Sequence, residues 1–172
     1  METNTQTRQE LKQQKRALND DIVINRVIEL PVSKVWAAWT QPEQFKKWWG
    51  PEGYTCPVSN MESKVGGRYL SCMKAPDGKE FWSTGVIKEF VPNRRLVVSD
   101  SFSDSKGNVI SAADLGFPGN WPKELLIAVE LKELESNTTQ LTLRHEGIPE
   151  EMREECISGW NQSLDKLERN IK

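Results

Sequence analysis

The last stretch of the chain, residues 147–172, has the clearest pattern of apolar and polar positions. Its apolar residues recur at intervals of three or four: Met152, Cys156, Trp160, Leu164, Leu167 and Ile171. This spacing places them on one side of an α-helix, and most positions between them are charged or polar. Pro149 and the acidic pair that follows it suit the first turn. The pattern predicts a one-sided helix that packs against either a plain core or the wall of a ligand cavity.

Ahead of this helix the pattern favours β-strands. A β-branched run at residues 22–28 stops before Pro31, and proline ends strands. Six further segments have strand character and are separated by turn residues: 54–62, 67–75, 79–91, 95–103, 124–134 and 139–146. Short connections such as Pro76-Asp77-Gly78 imply antiparallel neighbours. In the sixth strand apolar and polar residues alternate, which predicts one packed face and one face in water.

Two short helices are predicted between the first and second strands. Ser33 is a candidate cap for a helix over residues 34–39. Thr40-Gln41-Pro42-Glu43 has the form of a capping box, which would open a second helix reaching Trp48. The predicted order is therefore strand, two short helices, six strands and a long helix.

Two segments have no such periodicity. Residues 1–20 are polar, and they predict a disordered or loosely helical tail; the alternative is a helical arm that docks a partner through Leu11 and Leu18. Residues 104–122 form the long irregular connection. Long loops are commonly functional, so this one is either a lid with Phe117 and Trp121 as apolar contacts or an ordered surface loop held by those rings.

Composition narrows the class of protein. A chain of 172 residues with 37% hydrophobic content suits one domain, expected over residues 21–172. Charges of both signs are mixed and the net charge is -2, so no nucleic-acid partner is expected. No membrane span or signal peptide is recognisable, which predicts a soluble, cytoplasmic protein. Three widely spaced cysteines and one histidine predict reduced thiols, no metal site and, without a phosphate-binding glycine motif, no cofactor.

Several motifs in order resemble one known family. They are residues 31–43 (PVSKVWAAWTQPE), Trp48-Trp49-Gly50-Pro51, Val65-Gly66-Gly67-Arg68-Tyr69 and Pro76-Asp77-Gly78. As a set they are similar to the AHSA1-like family, named after the activator of Hsp90 ATPase, within the SRPBCC superfamily that also includes START and Bet v 1 proteins. The resemblance runs from about Ile22 to Ile171.

This resemblance implies an α+β helix-grip fold, in which a seven-stranded antiparallel sheet wraps around the C-terminal helix and encloses an apolar cavity. It implies a domain that binds a hydrophobic or lipid-like small molecule. Two alternatives stay open: a co-chaperone-like domain that binds a chaperone or another protein, and a cyclase- or hydrolase-like enzyme, with a non-enzymatic role favoured. Either a monomer or a homodimer fits.

The candidate ligand-binding residues are mostly aromatic. Seven tryptophans are many for one domain, and their large apolar rings suit a cavity wall as well as ordinary core packing. The candidates are Trp36, Tyr69, Met73, Trp82, Phe102, Trp121, Trp160 and Leu164. Trp36, Trp39, Trp48 and Trp49 have an alternative interpretation as residues that seal the short helices onto the sheet.

Two residues are candidates for acid–base chemistry. His145 shares a strand face with Leu141 and Leu143, and Asp100 shares one with Val98 and Phe102. Either could act as a general base in a cavity. The alternatives are a histidine satisfied at the strand end and a carboxylate at a fraying strand.

Overall fold

The predicted strands form an antiparallel sheet in the computed structural model, which describes Arg8 and residues 21–171. The predictions about the tail of residues 1–20 therefore lie outside the described residues, apart from Arg8. The seven strands are β1 (Ile22–Ile28), β2 (Ser59–Met61), β3 (Arg68–Lys74), β4 (Glu80–Val91), β5 (Arg95–Ser103), β6 (Leu125–Glu133) and β7 (Thr139–Glu146). Their order across the sheet is β1-β7-β6-β5-β4-β3-β2.

The C-terminal helix packs on one face of this sheet, as the apolar stripe predicts. The helix, α3, spans Arg153–Asn170 and follows a 3-10 turn at Glu150–Met152. Leu164 and Leu167 are fully buried, and Trp160 and Ile171 nearly so. The sheet contributes alternate residues to the same core, among them Ile127, Val129, Leu141 and Leu143. This arrangement is the helix-grip fold.

The two short helices follow β1, but they begin differently from the prediction. Helix α1 spans Val32–Thr40, so Ser33 lies inside it instead of capping it. The capping box is also wrong: the Thr40 hydroxyl donates to the Trp36 carbonyl of its own helix at 2.8 Å. Helix α2 covers only Pro42–Phe45. Trp48 is fully buried after it, with Nε1 donating to the Ala38 carbonyl at 2.9 Å, so this tryptophan seals the short helices to the core.

The second strand is much shorter than predicted. Thr55 makes an isolated bridge with Lys74, and regular pairing with β3 begins only at Ser59. Pro57 lies between these two points. A proline has no N–H to donate to a ladder and interrupts a strand, which accounts for the difference.

Among the described residues, no helix has the length and apolar character needed to cross a bilayer.

Candidate functional site

A cavity of about 280 Å³ lies between the sheet and the N-terminal half of α3. Its walls come from five parts of the chain: the face of the sheet, α3, the turn at residues 49–54, the connection at residues 104–122, and residues 147–152 before α3. A smaller space of about 40 Å³ adjoins it, sharing Asp100 and Trp160 as lining residues. The larger cavity is therefore the candidate binding site.

Aromatic side chains form much of the wall of this cavity. They are Trp49, Tyr54, Phe81, Trp82, Phe102, Phe117, Trp121 and Trp160. Phe117 stacks on Phe102 with ring centroids 5.1 Å apart, and Trp121 meets Phe102 edge-on at 5.2 Å. These contacts hold the connection of residues 104–122 against the sheet and make its rings part of the cavity wall.

The same connection also touches the segment before α3. Gly119 has φ +97°, and a Cβ atom there would lie 2.7 Å from the Pro149 Cβ. Only glycine combines this backbone conformation with so close an approach. The connection is thus held on β5 through Phe117 and beside Pro149 through Gly119, and it also pairs with β5 through the bridge between Val109 and Ser103.

The stripe of α3 changes its role along the helix. Met152, Cys156 and Trp160 line the cavity, while Leu164 and Leu167 are fully buried and do not. Gly159 and Ser163, which are small, also line it. Beside Trp160, the small residues Cys156, Gly159 and Ser163 leave this space unfilled.

A row of polar side chains crosses the interior at the edge of the cavity. The Tyr69 hydroxyl donates to Asp100 Oδ1 at 2.8 Å and lies 2.9 Å from the Ser99 carbonyl oxygen. Asp100 Oδ2 lies 3.6 Å from His145 Nε2. Trp160 Nε1 donates to His145 Nδ1 at 3.0 Å. These four residues come from β3, β5, β7 and α3, so the row links the sheet to the helix.

Strand register and one glycine place this row. Tyr69 pairs with Gly85 of β4, where a Cβ atom would lie 1.8 Å from the Ser99 carbonyl oxygen and 2.7 Å from the Tyr69 ring. The missing side chain lets Tyr69 reach over β4 to β5. On the other side, Asp100 pairs with Leu125 and His145 pairs with Ile127 of β6, so the two side chains approach each other across β6.

The turn at residues 49–54 is attached to α3 by a buried lysine. Lys166 Nζ donates to the carbonyl oxygens of Gly50 and Tyr54, each at 3.0 Å. None of the hydrogen-bond partners in this set is a carboxylate. Burial of the side chain lowers the pKa of Lys166. The Glu52 N–H donates to Gln162 Oε1 at 3.0 Å. The helix thereby holds one wall of the cavity in place.

The structure brings most of the predicted site residues to this region. Met73, Trp82, Phe102, Trp121 and Trp160 line the cavity, as do Asp100 and His145. Tyr69 lines the smaller adjoining space. Two candidates lie elsewhere: Trp36 packs against Phe90 with ring centroids 5.1 Å apart, and Leu164 is fully buried in the core.

Some lining residues were not among the predicted ones. Phe81 and Ser83 are two residues apart on β4 and therefore face the same side of the sheet. Strand alternation in the sequence was thus a signal that could have grouped them. Trp49 and Tyr54 flank a turn without periodicity, so no pattern indicates which way they face. Cys156 belongs to the predicted stripe of α3, where helical spacing alone does not separate lining from packing. In the described part of the chain, no cluster of three or more histidine, cysteine or carboxylate residues could hold a metal ion.

A sheet that grips a C-terminal helix, with an aromatic cavity between them, defines the class as a helix-grip protein. The family model for Activator of Hsp90 ATPase homolog 1-like proteins matches residues 29–172. The chain therefore belongs to the Activator of Hsp90 ATPase homolog 1-like family.

Solved structures agree with this assignment. A Chromobacterium violaceum protein is 30% identical with a TM-score of 0.73, and the match covers 89% of this chain and 97% of that one. The AHSA1 protein of Silicibacter pomeroyi is 20% identical with a TM-score of 0.69, covering 87% and 95%; at that identity it supports the fold alone. The search of curated proteins gave no match.

Proposed function

We propose that the protein binds an apolar, ring-containing small molecule in the cavity between the sheet and α3. The observation that supports this is the aromatic wall. Several of its rings, including Trp49, Phe81 and Phe102, are only partly buried although they line a cavity inside the fold. Covering apolar surface gains about 25 cal/mol per Å², so an apolar molecule would be stabilised there.

The volume limits the size of the ligand. Small-molecule pockets commonly enclose about 300 to 1,000 Å³, and this cavity of about 280 Å³ lies at the lower end. It suits a molecule of two or three rings better than a long lipid. Ligand binding also agrees with the frequent binding of hydrophobic molecules within this fold family.

The first test uses N-phenyl-1-naphthylamine, a neutral apolar dye that fluoresces when it leaves water. We expect it to bind the protein, and we expect Cys156→Leu to weaken binding by about tenfold because the larger side chain occupies part of the cavity. Fluorescence titration measures both affinities.

Cys156→Ala is the matched control at the same position. It removes the thiol but enlarges the cavity, so its affinity for the dye should equal or exceed that of the unchanged protein. Circular dichroism checks that both variants fold. Equal affinities for the leucine and alanine variants, or no dye binding by the unchanged protein, would contradict the proposal.

The co-chaperone-like and enzyme alternatives, and the choice between monomer and homodimer, stay predictions. The positions of Asp100 and His145 bear on which kind of ligand the cavity accepts.

A further inference from the structure

The charged side chains that line the cavity are acidic. Asp100 lies at its edge on β5, and Glu155 lies at its rim on α3. Within the described part of the chain, no lysine or arginine lines this cavity. Lys166 lies behind the turn of residues 49–54, where its ammonium group is bonded to backbone carbonyl oxygens. The lining therefore presents negative charge to a bound molecule.

His145 does not neutralise this charge, because Trp160 fixes its hydrogen bonding. An indole N–H can only donate, so His145 Nδ1 must accept from Trp160 Nε1. A doubly protonated imidazole would place two donors against each other. The neutral ring, with its proton on Nε2, fits this geometry.

The remaining nitrogen of His145 is unsatisfied. His145 is 7% exposed, and its Nε2 has no hydrogen-bond partner among the described residues. Asp100 Oδ2, at 3.6 Å, is beyond hydrogen-bond distance. A small movement of Asp100 toward Nε2 would give its carboxylate donors from both His145 and Tyr69, leaving further lone pairs for a ligand.

The neighbouring groups respond to this negative charge. The pKa of Cys156, which lines the cavity, is raised to about 11 by burial and then by the charges of Glu155 and Asp100. Burial, followed by the charge and hydrogen bond of Asp100, raises the pKa of Tyr69 well above its ordinary value. No cation appears among the groups that shift either pKa.

We propose that the cavity selects a ligand with a protonated amine on an aromatic body, and that Asp100 receives the ammonium group. This inference rests on the proposed ligand-binding function and specifies the chemistry of the ligand. A partly buried carboxylate without a cationic partner is unfavourable, and an ammonium group supplies that partner. The rings of Phe102 and Trp121, which line the same cavity, add cation–π attraction. Aromatic carboxylates of the same shape are excluded by repulsion.

The test compares three probes with one naphthalene ring each: 1-naphthylmethylamine, 1-naphthylmethanol and 1-naphthylacetate. Isothermal titration calorimetry with the full chain at neutral pH gives their affinities. We expect the amine to bind about tenfold tighter than the alcohol, which reflects one carboxylate contact with cation–π support. The acetate should bind weakest.

Two substitutions assign the selectivity to residues. Asp100→Asn keeps the shape and removes the charge, so the amine should lose most of its advantage while the affinity for the alcohol changes little. Glu155→Lys, on an exposed part of α3, should weaken amine binding and strengthen acetate binding several-fold. Glu154→Lys is the matched control, since Glu154 is exposed on the same helix but does not line the cavity.

Each outcome decides the question. Tightest binding of the alcohol or the acetate would overturn the ammonium proposal, as would equal effects of the two lysine variants. If Asp100→Asn fails to fold, the comparison of Glu155→Lys with Glu154→Lys still decides whether the acidic lining selects an ammonium group. If N-phenyl-1-naphthylamine binds but the naphthyl amine does not, the charge selectivity fails and the cavity function stands. If the neutral dye does not bind either, the cavity function itself fails.

Discussion

At the scale of single residues, the polar row depends on a side chain that is absent. Any Cβ atom at position 85 would collide with the Ser99 carbonyl oxygen and with the Tyr69 ring. Glycine usually weakens a strand, but here it lets Tyr69 cross β4 and hydrogen-bond Asp100. Gly85, although unfavourable within a strand, thus makes possible the hydrogen bond from Tyr69 that holds the Asp100 carboxylate.

The buried phenol of Tyr69 predicts how the protein responds to alkali. In a Tyr54→Phe variant Tyr69 is the only tyrosine, so ultraviolet absorbance of phenolate reports on it alone. Burial and Asp100 raise its pKa in the folded state, whereas an unfolded tyrosine ionises near pH 10. From about pH 10 upward the unfolded chain therefore binds fewer protons, and the free energy of unfolding should fall as pH rises.

We expect phenolate absorbance to appear together with loss of the near-ultraviolet circular dichroism signal. A reversible titration near pH 10 in protein that keeps this signal would contradict the burial and bonding of Tyr69. The Tyr69→Phe variant, which retains Tyr54, shows how much of the absorbance change belongs to the other tyrosine.

At the scale of elements, α3 fixes the turn that closes one side of the cavity. Lys166 replaces the hydration of its ammonium group with carbonyl oxygens of Gly50 and Tyr54. Arg169 forms an ion pair with Glu52 of the same turn at 3.0 Å, but at the exposed surface. The two cations lie on one helix and contact one turn, but Lys166 is buried against carbonyl oxygens whereas Arg169 pairs with a carboxylate at the surface.

Replacing these cations should therefore give unequal losses of stability. Lys166→Met leaves buried carbonyl oxygens without donors, and we expect it to lower the free energy of unfolding by about 2 to 3 kcal/mol. Arg169→Met removes an exposed ion pair and should cost under about 1 kcal/mol. Urea denaturation of both variants measures the difference. Similar small losses would show that the carbonyl contacts of Lys166 contribute little.

At the scale of the whole molecule, residues 111–122 of the long connection lie over the cavity and contribute Phe117 and Trp121 to its wall. These residues contact the sheet through aromatic rings, including Phe117 on Phe102 and on Phe81, whereas Val109 and Ile110 pair with β5 through backbone hydrogen bonds. Separating such rings costs less than breaking a sheet, so exit of a ligand past this connection is the favoured route.

Loosening this connection should speed ligand release. Phe117→Ala removes the ring contacts to Phe81, Phe102 and Trp121, and we expect the dissociation rate of N-phenyl-1-naphthylamine to rise several-fold. The free energy of unfolding should fall by about 1 to 3 kcal/mol, because several aromatic pairs and their buried area are lost together. Stopped-flow fluorescence gives the rate, and Val109→Ala, an exposed change in the same connection, is the control. An unchanged rate would place the exit route elsewhere.

The sequence predicts the architecture well because periodicity and turn chemistry are local. The stripe of α3 and the alternation of Leu125 and Ile127 in β6 correspond to buried faces. Errors came where a tertiary contact or a single backbone group decides, as for the Thr40 hydroxyl and the interruption at Pro57.

The candidate site is only partly accessible to sequence reasoning. Asp100 and His145 each have the right strand parity, but their approach depends on the register of β5, β6 and β7, which parity does not fix. Trp36 lies within α1 and Trp49 follows α2, and local spacing does not reveal that, of these two, only Trp49 reaches the cavity. Which aromatic ring faces a cavity is a property of packing between elements.

Helix α3 has one group of residues in the core and another group at the cavity, and this arrangement affects how the ligand selectivity of the protein can change. Leu164 and Leu167 secure the helix in the core, whereas Cys156, Gly159 and Ser163 meet the cavity. Substitutions in the first group create core voids, which typically cost 2 to 5 kcal/mol, about as much as many domains can lose. Changes in the second group alter cavity shape at small cost to folding. One helix thus carries both the residues that stabilise the core and the residues that shape the cavity. A library of substitutions at Cys156, Gly159 and Ser163 would sample new ligands on an unchanged scaffold.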